Sequence, residues 1–261
     1  MTPRSYLFVP GNRPERFDKA LASAADAVIV DLEDAVPPDQ KDAARRSVSA
    51  WLSATRPVVV RINAADTPWH RDDLALCRQP GVAAVMVAKA ERADALATLD
   101  LDVPLLPLIE SAAGVDQLRA IAAVRGVQRM AFGAIDFQLD LNMRATFDEL
   151  IYFRSQLVMA SRLAGIGAPI DSPSVAIDDT AEVELDAQRA RRLGFGAKLC
   201  IHPRQLDAVN RSFSPTEAEL AWARQVLAIA EASGGAAVAL DGKMIDKPVI
   251  LRAQAILAEA R

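Results

Sequence analysis

Glu110 in LIESAAGV and Asp136 in FGAIDF are carboxylates that each follow a short apolar run, and Arg61 closes another run in VVVRIN. Two hard oxygen donors with open positions around them are what Mg²⁺ prefers, because that ion keeps several waters and takes few protein side chains. Soft donors are scarce. The chain has 2 cysteines and 2 histidines, and Cys77 and Cys200 lie far apart with no CxxC partner, so zinc and copper are poorly served. A guanidinium beside such an ion suits stabilisation of an enolate or carboxylate, the task of a metal-dependent aldolase-type lyase. Lys89, after VAAVMVA, offers competing chemistry as a Schiff-base lysine of a metal-free aldolase. That role needs a desolvated pocket, whereas Lys89 is ringed by candidate anions. Other mechanisms lack their residues: there is no GxSxG elbow and no Walker sequence, and His202, followed by Pro203, reads as a structural strand-end residue.

The fold must bring these scattered residues together. Eight short aliphatic runs occur at 5–9, 27–30, 57–62, 82–88, 104–109, 129–132, 165–170 and 197–201. Alanine-rich helical stretches separate them, such as 113–124 and a segment whose Phe147, Leu150, Ile151, Leu157 and Val158 share one helical face. Runs apolar on both sides suit parallel strands covered by helices. Eight such units in 261 residues predict a (β/α)₈ TIM barrel, whose usual length is about 250. The runner-up, an open doubly wound sheet, lacks a GxGxxG after its first strand.

In a parallel barrel all strand C-termini open on one face. Asp31, Glu33 and Asp34 follow strand two, Arg61 and Asn63 end strand three, Lys89 follows strand four and Glu110 ends strand five. Gly133 and Asp136 follow strand six, Asp171 strand seven and His202 strand eight. Alternation puts Asp31 and Glu33 on one face and leaves Asp34 to cap the next loop. A second set, Asp26, Arg56, Asp102 and Arg129, sits among turn residues at strand starts and reads as solvated loop ends. Lys41 and Arg45, four apart, read as a solvated helix face, with loop anchoring as the alternative.

A net charge of −4 and a pI near 5.3 argue against nucleic-acid binding. No apolar run reaches the roughly 18 residues of a membrane span, and the N-terminal run is too short for a secretory signal. A cytoplasmic setting is expected. After strand eight, Ser214 as N-cap, Pro215 at N1 and Glu217 at N3 predict a helix to about Ser233, stopped by Gly234-Gly235. An Asp-Gly turn and a final helix follow. The domains are therefore a barrel, 1–213, and a short C-terminal helical extension, 214–261, expected to pack on a neighbouring subunit.

RSYLFVPGNRPERFDKAL, DAVIVDLEDAVPPDQKDAAR, VVVRIN, LIESAAGV, FGAIDF, APIDSP, GFGAKLCIHPRQLDAVNRSFSPTEAE and DGKMIDKPV follow one another over nearly the whole chain. In that order they closely resemble the citrate lyase β-subunit-like branch of the HpcH/HpaI aldolase superfamily. The resemblance implies a barrel that binds Mg²⁺ through Glu110 and Asp136, with water and substrate oxygens completing the shell. It implies a hydroxy-dicarboxylic acyl-CoA substrate of malyl-, citramalyl- or citryl-CoA type, gripped at its acid end by Arg61 and cleaved in a retro-Claisen sense. Lys89, Gly133 and Asp34 join Arg61 as expected substrate contacts. Glu33 joins it as an expected catalytic residue that bonds Arg61 or orients water on the metal. In related lyases an aspartate of the C-terminal segment completes a neighbouring subunit's site; the matching residue is Asp246 in GKMIDKP, which implies a homo-oligomer, trimer or hexamer.

Two departures fall near these contacts. Family members usually have a proline before the strand-four lysine and often an aspartate in a GFDGK stretch, where this chain reads VAK and GFGAK. Arg4, Arg13 and Arg16 fit either CoA phosphates or a solvated basic end. The alternative functions are a malyl-CoA-type thioesterase, a non-catalytic CoA-ester-binding subunit and a CoA-independent 2-oxo acid aldolase.

Overall fold

The computed structural model describes residues 2–232, 238–240 and 243–260. Eight parallel strands close on themselves: β1 (Ser5–Pro10), β2 (Ala27–Asp31), β3 (Val58–Ile62), β4 (Val82–Val87), β5 (Leu105–Ile109), β6 (Ala131–Phe132), β7 (Ile170–Asp171) and β8 (Ala197–Cys200), with β1 paired to both β2 and β8. The expected (β/α)₈ barrel is thus present. Around it lie α1 (Phe17–Leu21), α2 (Lys41–Trp51), α3 (His70–Leu76), α4 (Ala93–Ala97), α5 (Ala112–Asp116), α6 (Leu118–Ala122), α7 (Ala134–Asp140), α8 (Ile151–Ala164), α9 (Thr180–Leu193) and α10 (Leu206–Ser212). Among the described residues no helix is long and apolar enough to cross a membrane.

The barrel interior is built by alternation. Tyr6, Ile29, Val59, Ala84, Met86, Leu106, Leu108, Ala131, Ile170, Ala197 and Leu199 form one buried cluster, drawn from all eight strands. Two residues further along, the same parity reaches Asp31, Arg61, Glu110, Gly133, Ser172 and Ile201 at the strand C-termini. Side chains of the opposite parity, such as Val28, Val30, Val60 and Ile62, are buried under the helices.

Several local expectations are corrected. Of the 165–170 run only Ile170 belongs to a strand. The helix expected over 113–124 is two short ones broken at Gln117. On α8 the buried face carries Arg154, Leu157, Ala160 and Ser161, while Ile151 is exposed. Arg129 is not a solvated loop end: it is buried, donating to Ala168 O, Pro3 O and the Tyr6 hydroxyl. Lys41 is not on a solvated face either; it is buried and anchors the loop after β2, donating to Leu32 O, Glu33 O and Asn63 Oδ1.

The chain divides into two compact units, Met1–Val209 and Asn210–Arg261. The second contains α11 (Glu217–Ala232), an antiparallel pair β9 (Val238–Leu240) and β10 (Lys243–Ile245), and α12 (Lys247–Glu259). Its core joins Leu220, Ala223 and Val226 of α11 to Ile245, Ala253 and Ile256. The capping box that opens α11 stands two residues later than expected: Thr216 Oγ1 accepts from Glu219 N, and Glu219 Oε2 from Thr216 N. The expected Gly-Gly stop and Asp-Gly turn lie outside the described residues.

Candidate active site

A cavity of about 760 Å³ opens at the C-terminal end of the barrel. Its wall includes all six residues that the interior parity carries to the strand ends, together with Asp34 and Asp136. On these six strands the interior parity continues into the cavity wall.

Arg61 is the best-fixed member. Its Nε donates to Asp31 Oδ1 at 2.7 Å, its Nη2 to Asp31 Oδ2 at 2.6 Å, and its Nη1 pairs with Glu33 Oε2 at 3.1 Å. The guanidinium lies over the Phe8 ring, 4.8 Å from its centroid. A guanidinium has five N–H donors; Arg61 gives two to Asp31 and turns Nη1 toward Glu33 as an ion pair, which leaves donors on a residue that lines the cavity. Burial penalises the charge, but the Asp31 and Glu33 carboxylates outweigh it and hold the Arg61 pKa above its ordinary value.

Asp31 was missed as a site residue, and it takes the loop-capping role expected of Asp34. It accepts from Glu33 N at 2.8 Å and Ala35 N at 3.1 Å while holding Arg61. Asp34 is exposed, lines the cavity and donates its N–H to Glu33 Oε2. Glu33 also pairs with Lys89 Nζ at 3.1 Å. Neither Glu33 nor Lys89 is in the cavity wall. Lys89 lies beyond the end of β4; its backbone N–H meets Glu110 in the cavity wall, and its Nζ reaches Arg61 only through Glu33. The Lys89 pKa is nonetheless held above normal, since Glu33 outweighs partial burial.

Glu110 is 3% exposed. Its Oε1 accepts from Lys89 N at 2.7 Å, and Lys89 itself sits in the left-handed region at φ 47°. Gly133 lies against its other side: a Cβ there would stand 2.7 Å from both Glu110 Cβ and Oε2. Burial pushes the Glu110 pKa up to about 8, with Glu33 and Asp136 adding to the rise and the Lys89 N–H and Arg61 opposing it. Asp136 stands in the first turn of α7, half-buried and in the same cavity wall.

Two carboxylates in one cavity, the deeper raised by burial, fit a hard divalent cation whose remaining ligands are water or substrate oxygen. Among the described residues no group of three or more His, Cys, Asp or Glu could hold a metal.

Ser172 was also missed; the sequence reading chose its neighbour Asp171, which is wholly buried and pairs with Arg154 and Lys198. Counting in twos from Ile29 and Ile170 would have found both Asp31 and Ser172. His202 lines the cavity and also caps the turn after β8, its Nδ1 accepting from Arg204 N in a capping box with Gln205. Of Arg4, Arg13 and Arg16, for which CoA phosphates and a solvated basic end both stood open, Arg16 lines the cavity, as does Lys19. Asp246 belongs to the second unit and caps α12, its Oδ1 accepting from Val249 N at 3.3 Å.

A family model described as HpcH/HpaI aldolase/citrate lyase matches residues 4–203. A citrate lyase subunit beta-like protein of Deinococcus radiodurans is 38% identical, covering 98% of this chain and 96% of that one. A (3S)-malyl-CoA thioesterase of Cereibacter sphaeroides is 35% identical, covering 98% and 94%. Among solved structures, the CitE protein of Mycobacterium tuberculosis in complex with magnesium, acetoacetate and coenzyme A superposes with a TM-score of 0.90 at 36% identity, over 98% of this chain and 97% of that one.

Proposed function

The chain belongs to the HpcH/HpaI aldolase/citrate lyase family, and on that premise we propose that it is a Mg²⁺-dependent carbon–carbon lyase. Its substrate is a hydroxy-dicarboxylic acyl-CoA of malyl-, citramalyl- or citryl-CoA type, cleaved to acetyl-CoA and an oxo acid. The observation that carries this reading is the meeting, in one cavity, of a doubly anchored Arg61 with the Glu110 and Asp136 carboxylates. The magnesium and coenzyme A bound to the similar mycobacterial protein support it.

Glu110 and Asp136 would hold the ion, which supplies Lewis-acid polarisation of substrate oxygens. Arg61 grips an anionic oxygen with the donors that Asp31 leaves free, and stabilises the enolate oxygen as the carbon–carbon bond breaks. Asp31 and Glu33 keep the guanidinium charged and prevent it from turning away. In the cleavage the substrate hydroxyl loses its proton, its oxygen becomes the new carbonyl, and the electrons of the broken bond pass to the acetyl thioester enolate, which is then protonated on carbon. Asp246 of a neighbouring copy is proposed to complete this site, so that the working form is a homo-oligomer.

A second reading, hydrolysis of the thioester on the same scaffold, is favoured by the likeness to the malyl-CoA thioesterase. The two separate by products. Purified protein with Mg²⁺ is incubated with malyl-, citramalyl- or citryl-CoA, and acetyl-CoA, free CoA and released acid are followed by chromatography, with Glu110→Ala as control. Metal-dependent acetyl-CoA, lost in the variant, is the expected outcome. Free CoA with intact hydroxy acid makes the protein a thioesterase, and tight binding without turnover makes it a CoA-ester-binding subunit.

A further inference from the structure

Beside the cavity lies a group of buried charges that the reaction above does not use. Asp171 and Lys198 are register partners on β7 and β8. Both have the parity opposite to the barrel interior and meet Arg154 of the helix layer. Arg154 Nε donates to Asp171 Oδ1 at 2.8 Å and Lys198 Nζ to Asp171 Oδ2 at 2.9 Å. Burial works to raise the Asp171 pKa, but the two cations outweigh it and keep it below normal. A buried cluster of this kind adds little stability over apolar packing of the same volume, so what else it holds is informative.

Lys198 Nζ makes one further bond, to Ser172 O at 2.7 Å. Ser172 itself has the interior parity and lines the cavity, and its Oγ accepts from Ala134 N at 3.1 Å. Ala134 is the first residue of α7, two before Asp136. The preceding residue, Gly133, donates its N–H to Ile109 O at 2.9 Å, next to Glu110. The start of α7 is therefore pinned at two points, on one side to the strand that carries Glu110 and on the other to Ser172.

We propose that Ser172, clamped through its carbonyl by the Arg154, Asp171 and Lys198 cluster, is a positioning residue that sets the Asp136 carboxylate against Glu110 for a divalent cation. This rests on the metal reading above. The Ser172 hydroxyl fixes the height at which α7 begins, and with it the spacing of the two carboxylates. Groups that orient metal ligands in this way typically change affinity by about tenfold or more when removed.

The test is calorimetric titration of Mg²⁺ into full-length protein stripped with chelator, for wild type, Ser172→Ala and Lys198→Met, alongside the metal-free melting temperature of each. Ser172→Ala is expected to weaken Mg²⁺ binding about tenfold in protein that still folds, with the metal-free melting temperature lowered by the stranded Ala134 N–H. Lys198→Met is expected to weaken it at least as much in the protein that folds. Wild-type affinity in Ser172→Ala overturns the proposal, and so does a lowered melting temperature with affinity intact, because that makes the hydroxyl a stability element only. Failure of the wild type to take up Mg²⁺ removes the metal reading itself, and the proposal with it.

Discussion

Two buried arginines stand at opposite ends of the strands, Arg61 next to last in β3 and Arg129 just before β6. Arg61 faces two carboxylates, and its pKa is held up by them. Arg129 donates to two backbone carbonyls and a tyrosine hydroxyl, and burial, only partly opposed by Tyr6, lowers its pKa. Glycines make room for it: a Cβ at Gly167 or Gly196 would come within 2.8 Å of its side chain. The same residue type thus serves two ends differently. With carboxylates behind it, a guanidinium is held charged and aimed at a cavity; among neutral oxygens and missing side chains, it closes the barrel floor.

The comparison breaks most directly by removing each arginine. Arg61→Ala is expected to lower turnover by about 10²–10³-fold and, by leaving the buried Asp31 carboxylate without its cation, to cost about 3 kcal/mol of stability. Steady-state kinetics and urea unfolding measure the two. Arg129→Met should leave kcat/KM unchanged and cost about 1–3 kcal/mol through its stranded carbonyl partners. A loss of turnover in Arg129→Met at full folding would erase the distinction.

Asp246 sharpens the same contrast between structural and chemical use of a charge. Asparagine caps a helix about as well as aspartate, so Asp246→Asn should keep the melting temperature and lose turnover by about 10²-fold if the carboxylate acts in a neighbouring copy's site. Asp246→Ala should in addition lose about 1 kcal/mol. Full activity in Asp246→Asn leaves only the cap.

Glu110 gives the polarised end a pH signature. Its folded pKa of about 8 lies above the ordinary 4.5, so the fold binds its proton more tightly than the unfolded chain does. Its contribution to stability is complete below about pH 4.5 and is lost as the pH rises through about 8. The melting temperature of metal-free wild type should therefore fall relative to Glu110→Gln over that window. Mg²⁺ should stabilise more at about pH 8 than at about pH 6, because at the lower pH binding must displace the proton. The smallest effect is expected at half-exposed Lys89. Lys89→Met removes a pair worth up to about 1 kcal/mol, seen as a few-fold change in KM with the fold intact.

The barrel was legible because eight aliphatic runs repeat with helical spacers; Arg61 and Glu110 stand at the ends of such runs, Gly133 directly after one and Asp136 a turn beyond it. The rest depended on parity and on what lies across the barrel. Lys41 has the sequence surroundings of a surface lysine, yet three acceptors from the β2 loop and Asn63 capture it. Arg154 sits on a helical face that reads as apolar, and it is buried because Asp171 lies 17 residues away in sequence but 2.8 Å away in space. Ser214 and Thr216 both satisfy a capping pattern, and only the helix register decides between them.

The contact between Gly133 and Glu110 also constrains how the two positions can be inherited. Any side chain at 133 would occupy space that Glu110 already fills, so alanine there becomes acceptable only after the acid at 110 has been shortened or withdrawn. The order of substitutions then matters, and the two positions behave as one heritable unit. A lineage leaving this chemistry would have to give up the acid first, and one returning to it would have to clear position 133 before the acid could be regained.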